Sequence, residues 1–337
     1  MQPPAALTRY RELLEDHLKS LLERQQPEAL YRMLRYHLGW QERDGSPASH
    51  PGKRLRPSLC LLACEGSGGD VQRALPVASA LELVHNFSLV HDDVQDGDRT
   101  RHGRDTVWSI WGEAQAINAG DALLSIAHLS LAGAVANGLP AAAFSILSER
   151  TLEMVEGQVM DLEFEDRSDV ALEEYLAMIS RKTGALFDAS LALGGVAAGA
   201  PSEAAEALGR CGRALGIAFQ VRDDMLGVWG TEERTGKASG ADVRRRKKSL
   251  PVIYAFEQAD AGQREQLDRL YSGGELLEED VTWVLGLMDS VGAQSYCSRV
   301  AAEHQEIALR ELGRSGLIDT AAAELRQAAG FLLDRDY

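Results

Sequence analysis

In the stretch LVHDDVQDGDRTRHG, residues 89–103, an apolar run delivers three carboxylates at Asp92, Asp93 and Asp96. On a helix, at about 100° per residue, Asp96 lies about 40° and Asp93 about 100° around from Asp92. His85, two turns earlier, falls within about 20° of Asp92. Like charges on one helical face repel unless a cation lies between them. A hard divalent cation such as Mg2+ accepts a few carboxylates and keeps positions for phosphate oxygens. Read alone, such a cluster is more often a solvated helix end.

A second cluster changes that balance. GIAFQVRDDMLGVWG, residues 216–230, again runs from apolar residues into paired acids, Asp223 and Asp224, with Gln220 one turn earlier. Two acid-tipped apolar segments far apart in sequence predict tips that face each other across a pocket. Such a pocket is metal-lined at its mouth and greasy below.

Basic residues stand in phosphate-reading contexts. HPGKRLRPSL places Lys53, Arg54 and Arg56 at a loop-to-helix junction. ISRKTGALF embeds Lys182 and Thr183 in an apolar helix, where an inward-facing lysine needs a partner. RRRKKSLP, residues 244–251, fits either a nucleic-acid patch or a loop that closes over phosphate. The formal charge of −16, from 51 acids and 35 bases, argues against general nucleic-acid binding and for the second reading.

Helices must position these groups. YRELLEDHLKSLLER spaces its leucines at helical intervals, and strand signals are nearly absent. The breaks are short: ERDGSPASHPG, EGSGGD, NGLP and AGAPS. The most apolar stretch, 122–147, is interrupted by His128, Asn137 and Pro140, so it reads as helix, turn and helix rather than a membrane span. The longest polar loop runs from Gly230 to about Lys248. The expectation is an all-α single domain over residues 1–337, a large helical bundle around a central apolar cavity.

Cys60, Cys64, Cys211 and Cys297 form no CxxC pair and read as reduced core thiols. The N-terminus MQPPAALTRYRELLEDH has no signal-peptide pattern. Together these predict a soluble cytoplasmic protein with no stable membrane insertion.

With five motifs in order, the chain resembles the trans-isoprenyl diphosphate synthases, the polyprenyl synthetase family, with its isoprenoid-synthase helical fold. The motifs are GKRLRP at 52–57, LVHDDVQD at 89–96, RKTGALF at 181–187, FQVRDD at 219–224 and KKSLP at 247–251. Each alone is weak, but together they span about 200 residues. The resemblance implies that Asp92 and Asp96, with Asp93 nearby, bind Mg2+ bridging to an allylic diphosphate. Asp223, with Asp224 nearby, would bind a further ion, three being bound with substrate. Arg101 would contact the allylic diphosphate. Lys53, Arg56 and His85 would hold isopentenyl diphosphate. Lys182, Thr183, Gln220, Lys237 and Lys247 would complete the allylic side and stabilise the departing pyrophosphate. A homodimer is also implied, with apolar helices such as 122–135 at its interface.

The chemistry agrees with those roles. Ionising a C–O bond needs metals and fixed cations for the leaving charge. The allylic cation must be kept from water. Charged helix tips above an apolar shaft answer both needs, because the substrate has a charged head and a greasy tail.

Two positions depart from the family pattern. The second motif usually carries a third acid where this chain has Gly227, which predicts weaker metal binding. The usual second arginine after the first motif is His102, which makes an isopentenyl-side contact pH-sensitive.

Ser88 lies on the same helical side as Asp92, but Phe87 is rotated roughly 140° away, so geometry alone does not place it in the shaft. The resemblance does, since an aromatic at that position looks like the short-chain, geranylgeranyl type. Two rival readings remain open. One is a terpene cyclase, which needs no second diphosphate site. The other is a non-catalytic or weakly active subunit of a heteromeric synthase, suggested by Gly227 and His102.

Overall fold

The computed structural model describes residues 4–23, 26–50, 52–230, 239–273 and 276–333. The chain runs through α1 (Arg11–Leu21), α2 (Glu28–His37), α3 (Leu55–Gly66) and α4 (Val71–Gln95). A hairpin of β1 (Thr100–Arg101) and β2 (Arg104–Asp105) follows, then α5 (Val107–Trp111), α6 (Glu113–Ala136), α7 (Ala142–Glu165) and α8 (Leu172–Ile179). A π-helical turn, Ser180–Gly184, leads into α9 (Ala185–Ala198) and α10 (Ser202–Trp229). The remaining helices are α11 (Ala241–Arg244), α12 (Leu250–Gln258), α13 (Ala261–Tyr271), α14 (Glu278–Ser290), α15 (Ala293–Arg314) and α16 (Asp319–Leu333). The all-α expectation holds, and the two-residue strands only shape the turn after α4.

α4 begins at Asp70, whose side chain accepts from Gln72 N at 2.9 Å and caps the helix. From there it is apolar on nearly every side and buried from Ala74 to Phe87, with only short interruptions. α9 is more enclosed still, with almost every residue from Ala185 to Ala197 buried. It lies among α3, α4, α7 and α10. Small residues permit this. A Cβ at Gly194 would lie 2.3 Å from the Cys60 carbonyl on α3, and one at Gly212 would lie 2.2 Å from the Phe187 carbonyl. Backbones therefore touch directly on two sides of α9.

The stretch 122–147 is helix, turn and helix: α6 ends at Ala136, Gly138 takes φ 95°, and α7 starts at Ala142. α6 is long and apolar enough to cross a membrane. It packs on α4 through Ala116, Leu123, Ala127 and Leu131 and leaves Ile117 and Leu129 exposed. Phe144, Leu152, Val155 and Val159 continue that exposed apolar face along α7.

Candidate active site

α4 runs from its Asp70 cap straight into the first acid cluster. Asp92 and Asp93 occupy its last turn and Asp96 is its C-cap residue. A helix C-terminus carries partial negative charge, so carboxylates there are disfavoured without cations. Burial pushes the Asp92 carboxyl up to about 6, with the Asp96 charge adding to the rise and Lys182 opposing it. Asp93 and Asp96 are also raised, again chiefly by burial.

Each acid has a distinct setting. Asp93 is buried, and Arg101 on β1 donates to it through Nε at 2.7 Å. Lys182 is ion-paired with Asp161 of α7 and also offsets the charges of Asp92 and Asp96. The lysine sits in the π-turn, not in a continuous helix as its sequence context suggests. Such turns put one extra residue into a helix and redirect the side chains beside it.

Thr183, the next residue, reaches the other cluster. Its hydroxyl donates to Gln220 Oε1 at 2.8 Å, and Gln220 Nε2 donates to Asp224 Oδ1 at 3.1 Å. Asp224 is fully buried on α10, accepting from the Tyr175 hydroxyl and from Leu250 N. Lys247 Nζ lies 3.6 Å from Asp224 Oδ1. Burial raises the Asp224 carboxyl, and the neighbouring acids, Asp224 first, raise the pKa of Lys247, whose side chain is 41% exposed. Asp223 points to solvent. Lys182 and Thr183 thus tie the two acid-bearing helices into one polar network.

On the opposite side, Arg56 NH1 donates to His85 Nε2 at 3.1 Å. That bond requires a neutral imidazole, and burial together with Arg56 pushes the His85 pKa well down. Lys53 is exposed on the loop before α3. Arg54, between them in sequence, is instead a buried anchor, ion-paired to Glu15 and Glu82 at 2.7 Å each. His102 is exposed at the hairpin turn with φ 51°. Lys237 lies outside the described residues.

A cavity of about 250 Å³ opens beside the first cluster; Thr183 lines it, but Asp223, Asp224, Gln220 and Lys247 of the second cluster do not. Arg56, His85, Asp92, Lys182 and Thr183 make its polar wall. Phe87, Leu89, Met154, Val155 and Leu186 are its apolar lining, with Ser88 among them. Phe87 reaches it because the cavity wraps around α4, touching Leu89 on one flank and His91 on the other. The Phe87 ring meets His91 edge-to-face at 4.9 Å between centroids.

Several site residues escaped the sequence reading. Asp161 is the partner of Lys182, and Tyr175 orients Asp224. Gln158 donates to Gln95 at 2.9 Å beside Asp96, leaving its own Oε1 buried and unpaired. Arg245 pairs with Asp98. Asp161, set between Met160 and Leu162 in EGQVMDLEF, was the available signal; the others show none before folding.

Among the described residues, no three His, Cys, Asp or Glu side chains form a ready-made cage. Mg2+ does not require one, since it is commonly held by one or two carboxylates plus substrate phosphate and water. With Asp93 engaged by Arg101 and Asp224 by Tyr175 and Gln220, Asp92, Asp96 and Asp223 are the carboxylates that would be left to hold such an ion.

The polyprenyl synthetase family model matches residues 46–288. A (2E,6E)-farnesyl diphosphate synthase of Mycobacterium tuberculosis is 40% identical over 328 residues, covering 96% of this chain and 91% of the relative. A geranylgeranyl diphosphate synthase of the same species is 40% identical over 286 residues, covering 85% of this chain and 82% of the relative. The crystal structure of a polyprenyl synthetase from Streptomyces coelicolor has a TM-score of 0.91 at 35% identity, covering 98% of this chain and 99% of that one.

Proposed function

The chain belongs to the polyprenyl synthetase family, and on that premise we propose that it joins isopentenyl diphosphate head-to-tail to an allylic diphosphate. The primer is dimethylallyl, geranyl or farnesyl diphosphate, and the product a C15–C20 prenyl diphosphate, geranylgeranyl diphosphate foremost. One observation supports this reading: one cavity is lined both by charged groups and by apolar side chains. The substrate has the same division.

Bound Mg2+ would neutralise the diphosphate and favour departure of pyrophosphate. Asp92, Asp96 and Asp223 would hold three ions. Asp93 and Asp224 act from behind them, oriented by Arg101 and by Tyr175 and Gln220. Lys182, Thr183, Gln220 and Lys247 line the allylic side, where Lys182 and Lys247 keep positive charge beside the leaving group. Arg56, His85 and Lys53 hold the isopentenyl diphosphate so that its double bond faces the allylic carbon. Attack there forms the new C–C bond, and the adduct loses a proton. The apolar wall excludes water from the cation. Phe87 and Ser88 limit how far the tail descends.

The exposed apolar face of α6 and α7 is proposed to pair with a second copy. Leu129 and Leu152, 57% and 60% exposed, are otherwise open to water. The four cysteines are buried and unbridged, which supports a cytoplasmic location.

Radiolabelled isopentenyl diphosphate, given with each allylic primer and Mg2+, tests the reading. Prenyl diphosphates of defined length are expected. If no primer yields any product, the assignment is wrong.

A further inference from the structure

The two acid clusters of this chain are not equal in sequence. The first is Asp-Asp-Val-Gln-Asp; the second, Asp-Asp-Met-Leu-Gly, lacks its last carboxylate at Gly227. Position 227 is one turn beyond Asp223 and about 40° around the helix, on the same face.

In the folded chain that space is filled. A Cβ at Gly227 would lie 2.1 Å from Asp242 Oδ2 and 2.4 Å from its carboxyl carbon. The carboxylate of Asp242 therefore stands where a side chain at 227 would begin. No residue other than glycine fits at 227 while Asp242 stays in place.

Local structure explains how Asp242 gets there. Ser239 Oγ and Gly240 N both donate to the Val228 carbonyl near the end of α10, at 3.2 and 2.9 Å. Gly240 takes φ 77°, a left-handed turn, and α11 starts at once. The segment thus folds back on the last turn of α10 and brings Asp242 against Gly227. Lys247 fixes the result. Its amide donates to the Asp242 carbonyl at 2.9 Å, and its Nζ lies 3.8 Å from Asp242 Oδ2 and 3.6 Å from Asp224 Oδ1. One ammonium group thereby bridges Asp224 of α10 and the carboxylate that has arrived from α11.

We propose that Asp242 is the third carboxylate of the second acid cluster, supplied from a separate turn in place of the residue at 227, and that it serves the diphosphate-bound Mg2+ beside Asp223. This rests on the function proposed above. Gly227 is then the partner of a relocated acid, not a lost ligand. The second metal position becomes a composite site, complete only when residues 239–248 are docked on α10. Arg245 of the same segment pairs with Asp98 beyond α4, so docking also ties this segment to the first cluster.

The test measures binding of Mg2+ with inorganic pyrophosphate by calorimetry, independent of turnover. Asp242→Asn is expected to weaken that binding by about tenfold, a size typical of lost supporting groups at metal sites. Gly227→Asp alone should also weaken it, because two carboxylates then compete for one space. Gly227→Asp combined with Asp242→Ala should recover affinity to within about threefold of the unaltered protein, a coupling that independent sites do not show. Thermal melting checks that each variant is folded. If Gly227→Asp alone does not fold, Asp242→Asn and the double variant decide. Unchanged binding in Asp242→Asn overturns the proposal, as does a double variant no better than Asp242→Asn. If the unaltered protein itself fails to bind magnesium pyrophosphate, the functional reading falls first.

Discussion

Arg245 and Asp98 are 147 residues apart in sequence and form an ion pair between the segment after α10 and the loop after α4. Their side chains are 54% and 26% exposed, so the pair contributes little to stability, under about 1 kcal/mol. Its effect lies in holding together the two segments that follow the acid clusters of α4 and α10. Arg245→Gln is expected to leave the melting temperature almost unchanged and to raise KM for the allylic diphosphate several-fold. Equal KM values in both proteins would show the pair to be incidental.

Lys182 faces three acids, Asp92, Asp96 and Asp161, and its own side chain is 27% exposed. Its removal should cost turnover far more than folding. Lys182→Ala is expected to lower kcat by roughly 10²–10³, the scale of losing one fixed charge stabiliser. The melting curve and the steady-state rates of the same preparation check this. A loss of melting temperature matching the loss of rate would indicate a structural role instead.

Phe87 bears on the cavity as part of its apolar wall, and its only ring neighbour among the described aromatic contacts is His91. Phe87→Ala should shift products to longer prenyl chains, sized by chromatography. The truncation should also destabilise the fold by about 3 kcal/mol, near the low end for a buried aromatic, because one side of the ring already faces open space. An unchanged product spectrum removes Phe87 from the wall that limits the chain.

Acid sensitivity follows from two histidines. His37 closes α2 with its Nε2 sealed from solvent and unpaired, and burial pushes its pKa down to about 3. His85 is depressed by burial and by Arg56. In the unfolded chain both titrate near about 6.5. A depressed histidine adds stability above that value, and the contribution is lost as pH falls, at about 1.4 kcal/mol per unit of depression. The carboxyls of Asp92, Asp93, Asp96 and Asp224, raised by burial, act in the opposite sense over the same range. The histidine contribution is therefore read as a difference: between pH 6.5 and 4, His37→Asn should lose less melting temperature than the unaltered protein, as followed by circular dichroism.

Much of the site was legible because residue type and helical period carry it. The acids of α4 and α10 end apolar runs, and Lys182 and Arg56 are charges in greasy surroundings. What was hidden depends on tertiary contact. Phe87 is about 140° from Asp92 on an isolated helix, yet the cavity curves around α4 far enough to include it. The π-turn at Ser180–Gly184 leaves no mark in ISRKTGALF, because it is a change in hydrogen-bond register and not in composition. Arg54 looks like its neighbours Lys53 and Arg56, but folding turns it inward to Glu15 and Glu82. Gly227 reads in sequence as a gap in the second cluster, and only the fold brings the Asp242 carboxylate against it.

The tight seating of α9 limits how this cavity can be remodelled. Leu186 forms part of the wall, but the helix that carries it rests on backbone atoms of α3 at Gly194 and of α10 at Gly212. It has no slack to retreat. New room for a longer tail must therefore be carved from the α4 and α7 sides, by trimming Phe87, Ser88, Met154 or Val155. Mutational drift toward other product lengths is channelled into a few side chains on two helices, while the third stays fixed as the anvil against which they are shaped.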